Sequence, residues 1–406
     1  MSQGGGNRDA ARSLTILMIT TFVDMVGVLM VIPLLPFYAL HLGASGFVVT
    51  LLVASFSVAQ LISAPLWGRF SDRYGRRPAL LVGLTASAIA YVIFAFAGSI
   101  WVLLLSRVVQ GAGGGTVGVI QAYVADVTEP QNRARSLGWL SAAANLGLVI
   151  GPVIGTLSLP FGRPAPGLVA AALCLMNIAF AWRFLREPHD KKTRDALPAS
   201  TLRTRDIVFR VAARPGEPAS RLIWIYALAM GAFQACTAVL ALFLADRFAV
   251  TERTIGFFFT YVGALSVLSR AFVLGPMVDR FGEARLTRAG LAMLATGLIT
   301  LPLAPNLVFL ALAVALWPIG TSFTFPCISS LLSRVIDNRD RGAYMGTQQT
   351  YGGITRSVSP LLAGLAFDHL GIGVPFIVAG LFVFMVLPLT AQLSHYAPQP
   401  GRARGG

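Results

Sequence analysis

The sequence predicts an all-α polytopic membrane protein of twelve spanning helices, built as two repeated halves of six. Three observations carry that expectation. Of 406 residues, 55% are hydrophobic and only 12% charged, about half the roughly 25% charge of an ordinary soluble domain. The apolar residues come in runs of about 20, the length that crosses a ~30 Å hydrocarbon core at 1.5 Å per helical residue. A polar loop also recurs: Gly68-Arg-Phe-Ser-Asp72-Arg73-Tyr-Gly75-Arg76-Arg77-Pro78 returns in weaker form as Gly275-Pro-Met-Val-Asp279-Arg280-Phe-Gly282-Glu-Ala-Arg285, with the two aspartates 207 residues apart.

Taken in order, charge clusters and Pro/Gly turns divide the chain into runs near 14–40, 47–67, 79–97, 100–125, 136–159, 167–185, 222–245, 254–275, 286–303, 307–332, 343–366 and 374–393. Residues 1–13 are polar and Gly-rich, without the apolar core and cleavage site of a removed leader, so the first run is expected to be a signal-anchor helix. The longest polar stretch, 186–221, separates the sixth run from the seventh. The expected domains are therefore 1–185 and 222–406, two six-helix bundles joined by a cytoplasmic linker at 186–221. Arg133-Ala-Arg-Ser-Leu-Gly138 resembles Arg341-Gly-Ala-Tyr-Met-Gly346, and Gly151-Pro152 corresponds to Ser359-Pro360, both at an offset of 208. Six spans return the chain to its starting side, so the repeat has a single orientation about an axis along the membrane normal.

The 32 Lys and Arg against 17 Asp and Glu give a formal charge of +15, a balance also found in nucleic-acid binders. Here 26 of the basic residues fall on one side of the predicted spans, three (Arg163, Arg247, Arg253) on the other, and three (Arg107, Arg270, Arg356) within spans. That asymmetry encodes topology, with both termini expected in the cytoplasm, and no nucleic-acid partner is expected. Cys174, Cys236 and Cys327 lie inside apolar runs without pairing or metal spacing and are read as small core residues.

Several of these motifs together resemble the signatures of the major facilitator superfamily. They are the loop after the second span, Arg107-x2-Gln110-Gly111 in the fourth, and Gly147-x3-Gly151-Pro152-x2-Gly155 in the fifth. The fifth-span motif is similar to that of the antiporter branch, and Asp24-x2-Gly27…Pro33-x2-Pro36 is similar to the pattern of drug:proton antiporters, including tetracycline-type exporters. The resemblance covers all twelve spans. It implies the major facilitator fold and alternating access, and it implies proton coupling at Arg107.

Asp24 lies about ten residues into its span, ~15 Å from the inner edge. A carboxylate at that depth either faces a cavity and takes part in coupling, or caps and snorkels near the interface. Burial favours its neutral form and a nearby cation its charged form, the opposition a proton-coupling site needs. Arg107 is the expected partner, on a helical face shared with Gly111, Gly114, Gly118 and Gln121, unless it is a structural charge held by backbone carbonyls. Gly113-Gly-Gly115-Thr-Val-Gly118 matches G-x-G-x-x-G, but it sits within a long apolar run rather than between a strand and a helix, so it is read as helix packing rather than a nucleotide site. Gly147, Gly151 and Gly155 form one smooth stripe kinked at Pro152: an antiporter contact with the opposite half, or ordinary glycine packing. The Gly155-Thr156 end is expected to pack less tightly than the family's paired glycine.

Arg356 lies halfway along the eleventh span and either meets a substrate or locks to an acid of another helix. Arg270 is close enough to the inner end to snorkel. The resemblance assigns the cavity to the first, fourth, seventh and tenth spans, where Tyr38, Gln110, Gln121, Phe233, Gln234, Trp317 and Phe323 are candidates, together with Arg356. Large rings with few hydrogen-bonding groups suit amphipathic drugs better than sugars. At the inner face, Gly68, Asp72, Arg73, Gly75, Arg76 and Asp126 are expected to form a charged gate, which the family implies latches the two halves. Glu283 and Ala284 replace Arg76 and Arg77 in the second copy, so the latch is expected to be asymmetric.

The sequence has no G-x4-G-K-[ST] motif, no metal spacing around its four histidines, and no nucleophile–His–acid set, so neither an enzyme nor a cofactor is expected. The expected function is a monomeric exporter of small amphipathic or drug-like molecules in exchange for protons, driven by the proton gradient across a bacterial inner membrane. The rivals are a metabolite exporter, an uncoupled facilitator, and a sensor on a transporter fold. The ninth run carries no acid, which puts tetracycline itself in doubt as the substrate.

Overall fold

A computed structural model describes residues 3–128, 132–188, 204–337 and 340–395, with helices throughout and no strand among them. Eleven helices are long and apolar enough to cross a membrane. They are α1 (Arg12–His41), α2 (Gly46–Tyr74), α3 (Arg76–Ala95), α4 (Ile100–Val127), α5 (Arg135–Phe161), α6 (Ala165–Phe184), α7 (Pro218–Phe248), α8 (Ile255–Phe281), α9 (Glu283–Leu303), α10 (Leu307–Val335) and, last in the chain, α12 (Val374–Ala391). The remaining expected span, α11 (Arg341–Leu370), is a 30-residue helix. Its run of Thr347, Gln348, Gln349, Thr350, Thr355 and Arg356 dilutes the hydropathy on which the others are recognised. The end of the molecule that carries Asp72 is called the basic end below, and the opposite one the far end.

The chain forms two compact units. One comprises Met1–Ala44, Ser55–Leu197 and Val250–Gly263; the other comprises Ser45–Ala54, Pro198–Ala249 and Ala264–Gly406. In the first unit α1 packs on α5 and α6, and α3 on α4 and α6. The second repeats the scheme, α7 on α11 and α12, and α9 on α10 and α12. Lipid tails are as apolar as leucine, so burial alone gives these helices little reason to associate, and close backbone approach supplies it. Gly83 of α3 faces the Gly113 carbonyl of α4, where a Cβ would lie at 3.1 Å, and 207 residues on Gly290 of α9 faces the Gly320 carbonyl of α10 at 2.6 Å.

Each unit also takes in the far end of a helix from the other half of the sequence. In the second unit Asp368 of α11 accepts the Gly46 and Phe47 N–H groups at the start of α2, at 2.9 and 2.8 Å, satisfying donors that a helix start leaves open. In the first, Thr260 of α8 donates to the Val149 carbonyl of α5 at 3.1 Å.

The glycine run of α4 is a break in the helix. One helical segment ends at Gly113 and the next begins at Thr116, with Gly114 and Gly115 as the turn. Side chains of α2 take up the carbonyls freed there: Gln60 donates to Gly114 O at 3.0 Å, Trp67 Nε1 to Ala112 O at 2.6 Å and Ser63 to Gly111 O at 3.4 Å. Part of the polar stretch 186–221 is ordered too. Residues 189–203 lie outside the described ones, but Thr204–Ala213 is a helix with Ile207 and Val211 buried. Tyr351 and Trp224 donate to its Val208 and Val211 carbonyls at 3.0 and 3.2 Å. Just beyond, Arg210 bonds Glu217 at 3.0 Å and holds that carboxyl below the usual carboxylate range.

A Cβ at Gly320 would meet the Gly290 carbonyl at 2.6 Å and the Leu294 nitrogen at 2.8 Å, backbone atoms that cannot swing aside, whereas Gly346 of α11 has open space. Gly320→Ala should therefore cost about 1–3 kcal/mol. Gly346→Ala should be neutral or gain up to about 1 kcal/mol of helix propensity. Unfolding midpoints of the purified protein in detergent measure both, and equal midpoints for the two variants would refute this packing.

Candidate functional site

Asp24 of α1 and Arg107 of α4 are both buried, at 7% and 2% exposure. No ion pair joins them among the described residues; what they share is Tyr91 of α3, on whose hydroxyl both act electrostatically. Gln110 Nε2 donates to that hydroxyl at 3.0 Å. Gly27 lets the ring in, since a Cβ there would lie 3.3 Å from its Cε2 and Oη. The Arg107 guanidinium lies over the Phe94 ring, 5.9 Å from its centroid, a contact that holds a cation without a counter-ion. Its Nε and Nη2 have no hydrogen-bond partner among the described residues. One turn before Asp24, the Thr20 carbonyl accepts from Asn177 of α6 at 2.9 Å. Tyr91 and Asn177 were not anticipated: a scan of apolar runs for charge passes over neutral polar side chains, yet mid-span polarity was the available signal.

The expected face of Arg107, Gly111, Gly114, Gly118 and Gln121 is interrupted by the turn at Gly114 and Gly115, and Gln121 is exposed while Arg107 and Gln110 are buried. The stripe of Gly147, Gly151 and Gly155 packs on α1: added Cβ atoms would meet Met25 Cβ at 2.7 Å, the Val26 carbonyl at 2.8 Å and the Met30 carbonyl at 2.5 Å. The stripe is therefore a contact inside the first bundle, and its Gly155 end is as tight as the rest. The approach to α8 is made by glycines of α8 itself, Gly256 against the Pro152 carbonyl at 2.4 Å and Gly263 against the Leu148 carbonyl at 2.9 Å.

At the basic end Arg76 is the hub. It bonds Asp126 at 2.8 Å, Asp72 at 2.7 Å and the Ser71 hydroxyl at 2.8 Å. The Asp126 contact is shielded on both sides, while Asp72 is 68% exposed, so the Asp72 contact contributes only about 0–1 kcal/mol to stability. Glu187, absent from the expected set, caps α3 by accepting the Arg76 and Arg77 N–H groups at 2.7 and 2.9 Å. Gly75 is required there by φ +113°, a backbone conformation that side chains rarely adopt. Arg73 stays outside the hub, over its neighbour Tyr74, and Gly68 has open space.

The second copy repeats this geometry with the charges exchanged. Gly282, at φ +78°, makes the same turn. Glu283 stands in the place of Arg76 and bonds Arg334 at 2.8 Å and Ser330 at 2.6 Å; Arg334 lies 208 residues after Asp126. Asp279 makes no ion pair among the described residues. The echo of the loop is thus a paired site of reversed polarity, which motif comparison alone reads as a loss.

Of the cavity candidates, Phe233 of α7 stands edge-on to Trp317 of α10, with centroids 5.6 Å apart, and to Phe325 at 6.3 Å. Phe325 in turn stands edge-on to Tyr226 at 5.3 Å. This makes an aromatic wall in the second unit, with Gln234 half-buried one residue on from Phe233. Phe323 is not part of it: it packs with Leu286 and Cys327 against α9, and Phe325, about half a turn around α10, takes the expected place. Tyr38 is buried, stacked on Phe94 at 4.8 Å with its hydroxyl bonded to the Arg163 carbonyl, so it ties down a far-end loop. Arg356 is half-buried and meets no carboxylate among the described residues, which leaves the interhelical lock without a partner.

Glu283→Gln leaves the half-exposed Arg334 to water but weakens a buried acceptor, and should destabilise the protein by about 1–3 kcal/mol. The double variant E283R/R334E recreates the polarity of the first copy and should recover most of that loss. Thermal melting in detergent measures both; a double variant no better than the single one would show that the two copies are not interchangeable in charge.

The sequence profile of the Major Facilitator Superfamily matches residues 17–360 and, again, 222–404. The chain is 32% identical over 355 residues to a class C tetracycline resistance protein of Escherichia coli, covering 86% of this chain and 88% of that one. It is 28% identical over 389 residues to multidrug resistance protein 2 of Bacillus subtilis (strain 168), covering 92% and 93%. Among solved structures, the human organic anion transporter MFSD10 (TETRAN) superposes with a TM-score of 0.70 at 24% identity, over 94% of this chain and 99% of that one. The nucleoside transporter NupG does so with a TM-score of 0.77 at 13% identity, again over 94% and 99%; both likenesses speak to the fold. The chain belongs to the major facilitator superfamily.

Proposed function

We propose that this protein is a proton-coupled exporter of small amphipathic or drug-like molecules, working by alternating access as a monomer in a bacterial inner membrane with both ends in the cytoplasm. The observation that carries the proposal is the buried set of Asp24, Tyr91, Arg107 and Gln110. A carboxyl group that changes charge state inside a membrane needs neighbours that tolerate it neutral and a cation near enough to favour it charged. Burial supplies the first for Asp24, and Tyr91, on whose hydroxyl Asp24 and Arg107 both act, is the proposed link to the second. The mapped relatives, a tetracycline resistance protein and a multidrug resistance protein, support drug-like cargo, and the aromatic wall offers such cargo flat apolar contact with few polar groups. Arg76 with Asp72 and Asp126 is the proposed gate at the basic end, and Glu283 with Arg334 its weaker counterpart. No metal-binding cluster occurs among the described residues, and the proton gradient is the proposed energy source.

Asp24→Asn fixes the group in a neutral form and should abolish pH-gradient-driven transport in inverted vesicles while leaving substrate binding within about threefold. Full gradient-driven transport by this variant would remove Asp24 from coupling. Asp72→Asn should slow transport about tenfold or more without loss of membrane insertion, because the Asp72 contact adds little stability. Asp279→Asn should have a smaller effect, and the reverse ranking in the same efflux assay would move the gate to the second loop.

A further inference from the structure

Asn177 of α6 donates through its Nδ2 to the Thr20 carbonyl of α1 at 2.9 Å, and both residues are buried. In an α-helix the carbonyl of residue 20 also accepts the N–H of residue 24, so the amide is fastened to the turn that carries Asp24. A carbonyl can only accept, so the NH2 of Asn177 must face it and the amide oxygen must point elsewhere. That oxygen is buried and has no hydrogen-bond partner among the described residues, and the Thr20 hydroxyl is in the same state. A threonine inside a helix can turn its hydroxyl back on the carbonyl four residues earlier, as Thr237, Thr287, Thr324 and Thr347 do at 2.7–2.9 Å. Thr20, with no exposure at all, does not.

Thr20, Asp24 and Gly27 follow one another at spacings of four and three and share one stripe of α1. Tyr91 packs against Gly27, where a Cβ would lie 3.3 Å from its hydroxyl, and Gln110 donates to that hydroxyl at 3.0 Å. Asp24 therefore has a polar group one turn away on either side, Tyr91 towards the far end and Asn177 with Thr20 towards the basic end. The fold does not demand the second of these. α7 packs on α12 as α1 packs on α6, yet at the repeat offset of 207 or 208 Thr20 is answered by Ala227 or Leu228, Asp24 by Gly231 or Ala232, and Asn177 by Phe384 or Met385. A buried amide or hydroxyl left unpaired costs about 1–3 kcal/mol, so two of them beside a carboxyl group require a partner that both donates and accepts. Asp24 keeps 7% exposure, so water reaches its surface.

We infer that Thr20 and Asn177 are positioning residues that hold a water against Asp24 on its basic-end side, and that Asp24 exchanges its proton with that end of the molecule through this water. Such a water donates to the Asn177 oxygen and bonds the Thr20 hydroxyl and the Asp24 carboxyl, within the two to four polar partners a buried water takes. On release the O–H bond of the neutral Asp24 carboxyl breaks and its proton bonds to the water oxygen. One of the water's original protons then leaves towards the basic end, the carboxylate remains and the water is restored. Asn177 and Thr20 are unchanged and act only by aim. This relay rests on the coupling reading of Asp24, to which it adds the side on which the proton passes and the residues that set it.

The test follows proton release by the purified full-length protein in detergent, by stopped-flow mixing from pH 5 to pH 8 with pyranine as the indicator. The Asp24 component is the part lost in D24N. T20V, which keeps the shape and the carbonyl and removes only the hydroxyl, and N177V should each slow that component about tenfold or more. T20S should restore it to within about twofold of the parent. T21V, whose buried hydroxyl lies off the Asp24 stripe, should leave it unchanged. A role confined to packing α6 on α1 instead lowers the thermal midpoint of N177V and leaves the release rate of T20V as it was. An unchanged rate in T20V, equal slowing by T21V, or no component lost in D24N would each overturn the relay; T20V and T20S decide alone if N177V does not fold. Slowed release in T20V together with uncoupler-insensitive efflux of ethidium would leave the relay standing and sink the exporter. Uncoupler-sensitive efflux with unaltered release in T20V would do the opposite.

Discussion

A hydrocarbon core offers no water to a carbonyl, a hydroxyl or a guanidinium, so each embedded polar group must find its partner inside the protein. That constraint organises the first unit. The break in α4 at Gly114 and Gly115 frees backbone carbonyls, and α2 supplies Gln60, Ser63 and Trp67 to take them. The fixed contact between α2 and α4 then sets the helical segment from Ile100 to Gly113, which carries Arg107 and Gln110. Gln110 reaches Tyr91, on whose hydroxyl Asp24 and Arg107 both act, so the buried polar set spans three helices. Helix packing and the buried charge set are therefore one problem: the glycines that bring backbones together also create the polar gaps that side chains must fill.

The repeat shows which features the architecture holds and which it lets vary. Glycine contacts recur at the same offset, Gly83 on Gly113 and Gly290 on Gly320, because no other residue permits a backbone approach of that kind. The ion pair after the turn recurs as well, but with its sign reversed, Arg76 with Asp126 against Glu283 with Arg334. Attraction between opposite charges does not depend on which helix carries which sign. The helix starts differ accordingly. Arg76 opens α3 under a cap supplied by Glu187, whereas Glu283 places its own negative charge in the first turn of α9, where the helix dipole favours it.

Much of this was legible in the sequence, and the limits have physical causes. Eleven apolar spans, most of their boundaries within a few residues, and the glycine-rich packing follow from hydropathy and turn chemistry, because lipid enforces both. The cluster of Arg76, Asp72 and Asp126 was legible because the repeated loop and a lone acid at the end of α4 both mark the same end of the molecule. Tyr91 was not, since a tyrosine in an apolar run has the same pattern whether it fills space or bridges an acid to a base. The choice between Phe323 and Phe325 depends on rotation of α10 about its own axis, past Pro318 and Pro326, which no count along the chain fixes. The π-turn at Ser269–Val273 is hidden in the same way, since such a change of helix type leaves no trace in composition.

One acid and one base stand about Tyr91 in the first unit, a set whose net charge a single proton changes. For the proposed exchange, that proton carries one charge down the membrane potential, roughly 2.3 kcal/mol per 100 mV. Exchanged one for one, a neutral cargo leaves this gain whole, a monocation moving out cancels it and a monoanion doubles it, because negative charge moving out and positive charge moving in are electrically the same. The charge of the cargo therefore decides how much of the membrane potential a single titrating acid can put to use.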